Sequence, residues 1–299
     1  MKILKLLFVP LILFFFTCCE KAILDEEETG QKETTSTAKT KGNVTLCMSE
    51  LESQSFQTIA KGTDKELPNH LCFVIYDMGG NRLKQVNQTS GMADFGQATF
   101  QLDKGTYQLV LLAHSSAKNP TMTNLSKVQF NNSIGYTDTY MYYSTLTVGD
   151  QPLQLEFTLD RIVALCRFVI SDPIPEGATQ MRFTYTGGSG HFSALTGLGI
   201  TNSKQVVTRM VQAGQQYQVF DLYTFLPDTE GTISLAATAL DAAGNDLCEW
   251  EYEIPMAQNQ ITWLTGNFFT DGDEPPRQWT VTPNIDIDSH WGSEVFYTY

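Results

Sequence analysis

Residues 247–254 read LCEWEYEI, and their alternation sets the fold class. Cys248, Trp250, Tyr252 and Ile254 fall on one side of an extended chain and Glu249, Glu251 and Glu253 on the other, the period of two of a half-buried strand. Upstream, residues 232–240 (TISLAATAL) form a second strand-like run, and Asp241-Ala242-Ala243-Gly244-Asn245 between them has turn composition. Together they predict a β-hairpin. Working outward, RIVALCRFVI at 161–170 places Ile162, Ala164, Cys166, Phe168 and Ile170 on one face, and Asp172-Pro173-Ile174-Pro175 ends it. HLCFVIY at 70–76 and TYQLVLLAH at 106–114 are near-continuous apolar runs. The first is followed by the turn Asp77-Met78-Gly79-Gly80-Asn81 and the return arm RLKQV at 82–86.

Further strand-like runs occupy 98–102, 141–148, 153–159, 180–186, 205–211, 217–226, 261–269 and 278–287. Residues 115–140 are polar and irregular, with a short helical turn expected at 124–129. No helical-period segment of about ten residues or more occurs beyond the N-terminal run, and short strands separated by turn signals predict antiparallel sandwiches. Roughly fourteen strands exceed one small sandwich. The natural division is near Asp160, giving an all-β chain with one sandwich at 43–159 and a second at 160–299.

The N-terminus reads as a processing segment. Lys2 and Lys5 precede an apolar run at 6–16, which is too short for the about 20 residues that a membrane-spanning helix needs. A charged start and short apolar core make a secretory signal peptide. The run closes on Phe16-Thr17-Cys18-Cys19-Glu20, which resembles a bacterial lipoprotein box. The residue before the acceptor cysteine must be small there, so Cys18 before Cys19 fits better than Thr17 before Cys18. Residues 1–18 are then the signal and Cys19 the lipidated residue; the alternative is an ordinary signal peptide cleaved nearby. Residues 19–42 are expected to form a flexible tether, because 29–42 contain no aromatic residue to build a core. The acidic run Asp25-Glu26-Glu27-Glu28 reads either as plain solvated tether or as resembling the signal that sends such lipoproteins to the outer cell surface.

The 299-residue chain carries 19 Lys and Arg against 33 Asp and Glu, a formal net charge of −14. Nucleic acid is a poor partner for such a surface, and anionic lipid headgroups are no better. Membrane attachment is left to acyl chains. Beyond Cys18 and Cys19, the cysteines Cys47, Cys72, Cys166 and Cys248 are widely spaced, which fits none of the common zinc patterns. An exported chain permits disulfides, but cysteines inside strand-like runs behave as small buried hydrophobes. Free buried thiols are the favoured reading and a bridge the alternative.

Candidate chemistry is sparse. His70, His114, His191 and His290 lie far apart and form no HExxH or HxH pattern. Gly187-Gly188-Ser189-Gly190-His191 shares part of a nucleophile-elbow pattern but has His191 where glycine is required, and it lacks the strand–helix setting. It reads as a glycine-rich loop. Asp271-Gly272-Asp273-Glu274 and the pair Asp286 and Asp288 lack calcium-loop spacing. Paired carboxylates of a glycosidase are not legible in one dimension. Tyr136, Tyr140, Tyr142 and Tyr143 read as core residues first and as a sugar-stacking cluster second. No catalytic residue, metal site or cofactor site is expected.

Five phrases carry a family resemblance by their order and spacing: FVIYD at 73–77, LDKGTYQLVLLAH at 102–114, MYYSTLTVGD at 141–150, LDRIVALCRFVISDPIP at 159–175 and IPMAQNQITWLTGNFF at 254–269. The arrangement resembles the FimB-like family of minor or anchor subunits of Bacteroidales (type V) fimbriae, over nearly the whole mature chain. The resemblance implies two tandem transthyretin-like sandwiches. It implies an outer-membrane anchor through N-palmitoyl and S-diacylglycerol groups on Cys19, and pairing with fimbrial pilin subunits by β-strand addition in cell adhesion. The first arginine of the sequence is Arg82, so arginine-specific cleavage ahead of the first sandwich is not expected. Lys32, Lys39, Lys41 and Lys61 remain open to other proteases. A carbohydrate-binding surface lipoprotein with a glycan or host ligand is the first alternative, and a secreted hydrolase the second.

Overall fold

The computed structural model of the protein describes residues 43–51, 68–131, 134–270 and 293–299. The signal, the tether, Cys19, Asp271–Glu274, the run at 278–287, Asp286, Asp288 and His290 lie outside the described residues. In chain order the strands are β1 (Val44–Leu51), β2 (His70–Tyr76), β3 (Arg82–Thr89), β4 (Gln97–Phe100), β5 (Gly105–His114), β6 (Thr121–Asn124), β7 (Lys127–Gln129), β8 (Thr139–Val148) and β9 (Leu153–Arg161). There follow β10 (Ala164–Ile170), β11 (Gln180–Thr186), β12 (His191–Phe192), β13 (Gln205–Met210), β14 (Gln218–Thr224), β15 (Glu230–Leu240), β16 (Asp246–Ala257), β17 (Gln260–Gly266) and β18 (Ser293–Thr298). The chain is all-β, as the alternation predicts. The helical turn expected at 124–129 is instead a β6–β7 hairpin turning at Leu125 and Ser126. Leu125 packs its side chain into a core, and no periodic apolar run is present there to favour a helix.

A seven-stranded sheet in the order β3-β2-β5-β8-β9-β1-β4 takes most of the strands before residue 162. It doubles over on itself: β8 meets β9 through only Tyr140↔Arg161 and Met141↔Asp160. Val44, Leu46 and Phe100 from one arm therefore share a core with Phe73, Leu109 and Leu111 from the other. Two four-stranded sheets, β14-β10-β17-β18 and β13-β11-β15-β16, take most of the strands after residue 163. Between them lie Phe168, Phe183, Tyr252 and Phe268. The ladders are mostly antiparallel, but β1–β9, β10–β17 and β17–β18 run parallel. Parallel neighbours need long connections, and each of these pairs joins segments well separated in sequence.

The turn motif Asp-x-x-Gly-Asn occurs once in each half of the chain, with the same geometry. Asn81 donates its main-chain N–H to Asp77 Oδ1 at 2.8 Å and Asn245 donates its own to Asp241 Oδ1 at 2.8 Å. Gly80 and Gly244 adopt φ of 81° and 83°, a region that a Cβ disfavours. The donated hydrogen bonds hold both aspartates below the usual carboxylate range.

A third core welds the halves. Both faces of β2 and β5 are buried, which is why those runs are apolar rather than alternating. The Phe73 side faces the first core, and Cys72, Val74, Val110 and Leu112 face the third. The same division splits β10: Cys166 and Phe168 point into the core between the four-stranded sheets, while Leu165 points with Ile162 and Val163 into the third. Phe192 and Phe225 from the later strands stack on Phe130, at centroid separations of 6.3 and 6.0 Å, and on each other at 4.7 Å. The small sheet β12-β7-β6 adds main-chain pairing across the junction, His191↔Gln129 and Phe192↔Val128. Phe225→Ala should cost about 3–5 kcal/mol as a buried large-to-small change. Urea unfolding followed by tryptophan fluorescence and by far-UV circular dichroism should show one shared transition moving to lower denaturant.

Candidate functional site

Two groups of titratable side chains gather at largely buried nodes among the described residues. His70 and His114 lie opposite each other at the ends of β2 and β5, and antiparallel pairing stacks their rings at 5.1 Å and 4°. Cys72 Sγ lies 3.9 Å from His114 Nε2 and 3.6 Å from Asn119 Oδ1. The trio has the residue types of a thiol nucleophile, but not its electrostatics. Burial pushes the Cys72 thiol up to about 12, and burial together with the charge of His70 pulls His114 down to about 4, against a hydrogen bond that the ring donates to Asn119. A protonated thiol beside a neutral imidazole is a poor nucleophile. Cys47, Cys72, Cys166 and Cys248 are all free thiols, the first and last half-buried.

His114 makes the fold acid-sensitive. Its pKa in the folded protein lies below the ordinary 6.5, so between about pH 6.5 and 4 the unfolded chain binds more protons. The stabilisation is complete above about pH 6.5 and is lost as pH falls towards 4, by roughly 3 kcal/mol. Chemical denaturation across that window should show the loss, and His114→Gln should flatten it.

A second node sits where the seven-stranded sheet hands the chain to β10. The Arg161 guanidinium is bidentate on Asp138, Nε to Oδ1 at 2.7 Å and Nη2 to Oδ2 at 2.9 Å. It also donates to Tyr140 Oη, lies 4.6 Å from the centre of that ring, and reaches Asn259 Oδ1 at 3.2 Å. Tyr140 donates to Asp138 Oδ2 at 2.8 Å, and burial first, then the Asp138 charge, raises its pKa. Asn259 adopts φ of 56° in the β16–β17 turn and donates its N–H to Val163 O, so the node spans β8, β9 and the β16–β17 turn. Arg161→Met strands the Asp138 carboxylate and should cost roughly 3 kcal/mol, as removal of one partner of a buried pair does. A denaturant midpoint set against Arg161→Lys, which keeps charge but loses the fork, reads it.

The tyrosines form no exposed platform. Tyr136 and Tyr140 are buried, Tyr142 packs on Phe157 at 4.7 Å, and Tyr143 donates to Gln108 Oε1 at 2.8 Å. Trp263 is unavailable to a flat ligand too, because Arg167 covers one ring face at 5.0 Å and Phe296 stacks on it at 5.4 Å. In the glycine-rich loop, a side chain on Gly188 would collide with Thr224 and one on Gly199 with Phe225 O. Ser189 Oγ accepts the N–H groups of His191, Ile200 and Thr201. That serine is a structural hub. Among the described residues, no three His, Cys, Asp or Glu side chains gather to hold a metal ion.

What the fold leaves open is sheet edge. β14 and β13 each end a sheet, and a cleft of about 450 Å3 runs along them, lined by Arg209, Met210, Val219, Asp221, Tyr136 and Asp138. Its carboxylates are already matched, Asp138 to Arg161 and Asp221 to Arg167 at 2.7 Å. At the opposite end of the fold β1 is an inner strand, pairing with β9 from Val44↔Leu153 onward and with β4 from Val44↔Phe100 onward.

The model of a family of unknown function, DUF6562, matches residues 34–298. The chain belongs to that family. No curated protein matches the sequence. Among solved structures, the chain is similar to a candidate adhesin from Bacteroides ovatus ATCC 8483, at 12% identity and TM-score 0.49, covering 76% of this chain and 88% of that one. It is similar to the fimbrial anchor protein Mfa2 from Porphyromonas gingivalis at 9% identity and TM-score 0.40, covering 69% and 80%. A third is a fimbrial assembly protein from Parabacteroides distasonis ATCC 8503, at 13% identity and TM-score 0.38, covering 75% and 90%. No residue role transfers from any of them at such identities.

Sequence reasoning missed the Arg161 node and the histidine stack. A lone arginine ending an alternating strand, and two histidines at opposite ends of apolar runs, were the signals available. It also missed β18, where Glu294 accepts from Trp263 Nε1 at 3.2 Å.

Proposed function

We propose that this DUF6562 member is a non-enzymatic minor or anchor subunit of cell-surface fimbriae of the FimB-like kind. On this reading it is held at the outer membrane through lipid on Cys19 and pairs with pilins by β-strand addition. Residues 43–159 and 160–299 are its two transthyretin-like sandwich domains, sharing the third core.

The observation that carries the reading is the place of β1. The tether enters the fold through a strand with a partner on each side, β9 and β4, and Val44 and Leu46 are fully buried. Pulling on a lipid-held N-terminus then loads two hydrogen-bonded ladders and the first core rather than a free end. A subunit whose first strand must stay in place suits a retained anchor better than a processed stalk subunit. The sequence agrees, since its first arginine, Arg82, already lies in β3. The non-enzymatic reading rests on the protonation states of Cys72 and His114 and on cleft carboxylates already matched by arginines. The net charge of −14 leaves the acyl chains to supply membrane affinity.

The test is intact mass and N-terminal analysis of protein from native membranes, beside a Cys19→Ala variant. The expected result is an acylated N-terminal Cys19, with both the acyl mass and surface retention lost in the variant. A native chain without lipid, starting near Gly42 or Gly62, would overturn the anchor reading, because β1 would then be released or unanchored.

A further inference from the structure

We infer that the free edge of β14, with the cleft beside it, is the surface that receives the pilin: an extended strand from a pilin adds to β14. This rests on the fimbrial reading above and gives it a place on the molecule.

Exposed main-chain edges attract strands, and folded proteins guard them with charges, proline or bulges. The edges of this fold differ in that respect. β3 carries exposed Arg82 and Lys84 and a register break at its Tyr76 pairing. β16 carries exposed Glu249, Glu251 and Glu253 and then Pro255. β4 is four residues long. β14 carries no lysine, proline or register break, although Tyr185 Oη donates to Tyr223 O and Ser189 N–H to Phe225 O at its C-terminal end. Its one charge, Asp221, is turned onto Arg167 of the neighbouring β10.

Apolar side chains gather at the same place. Met210 is 72% exposed at the end of β13, Tyr217 68% just before β14, and Val219 49% within it. Ile134, 57% exposed, is tied to a cleft-lining residue through its carbonyl, which accepts from Arg209 Nη2 at 2.9 Å. β13 also ends a sheet without lysine or proline, but it carries Arg209; on the β18 edge Val295, Phe296 and Tyr297 are all half-buried. Tyr217 adds an independent sign. It holds a φ of 54°, a left-handed conformation that bulky residues avoid. A strained, exposed aromatic residue gives the fold nothing that glycine or asparagine would not, and strain of this kind gathers at binding sites.

These features define the occupant. Main-chain groups along β14 would pair with an extended segment, and Tyr217, Val219, Met210 and Ile134 would contact its apolar side chains at alternate positions. The chain's charge of −14 disfavours an acidic segment, so the strand is uncharged or basic. A second copy of this chain is the competing occupant.

Fimbriae sheared from the same cells and purified are the probe, presented to the full-length protein. Hydrogen exchange should slow at 218–222 on binding. Val219→Lys and Met210→Lys, both at exposed positions and expected to leave the melting temperature unchanged, should weaken binding at least about tenfold. Leu83→Lys on the guarded β3 edge should not. Binding with protection on another edge would overturn this inference and leave the fimbrial reading standing. Wild-type protein that fails to bind fimbriae would overturn both. A dimer of this chain alone, dissolved by Val219→Lys in light scattering, would assign the surface to a second copy and overturn the pilin as occupant.

Discussion

Phe192 and Phe225 stacked against Phe130 form the contact on which the arrangement of this protein depends. Each ring comes from a segment that is not a long strand: a two-residue strand in a glycine-rich loop, the residue after β14, and the residue after a three-residue strand. None of these segments could hold a conformation alone. Packed together they bury the outer faces of β2, β5 and β10, and so turn two sets of sheets into one body. Shape complementarity of this kind does not come apart gradually.

The polar nodes follow from that packing. Once the halves close on each other, a charge at the seam must find a partner inside the protein. Arg161 does so through a planar fork that serves Asp138, Tyr140 and Asn259 at once, a geometry lysine could not reproduce. His114 meets the same constraint in another way. Burial keeps it neutral, and the cost appears as sensitivity to acid rather than as an ion pair. Polar groups left inside this fold fix its geometry.

Edges differ by what guards them. The outward glutamates of β16 and the basic residues of β3 follow from the need to stay soluble with long strands on the outside. The exception at β14 gains meaning from that contrast. Beside the charged edges of β3 and β16, an edge whose single charge, Asp221, is paired to Arg167 reads as recognition surface.

The fold class was legible because a strand's side chains alternate with a fixed period, so LCEWEYEI and RIVALCRFVI announce which faces are inward before anything is folded. Both Asp-x-x-Gly-Asn hairpins were legible for the same local reason: aspartate, glycine and asparagine choose that turn through bonds within five residues. The parallel pairings, the third core, the Arg161 node and the guarded or unguarded state of each edge were not. Each depends on which strand lies beside which, and pairing partners far apart in sequence leave no periodic trace. The turn at 124–129 shows the limit: its residues carry weak local preference, and the neighbours they meet across the junction made it a hairpin.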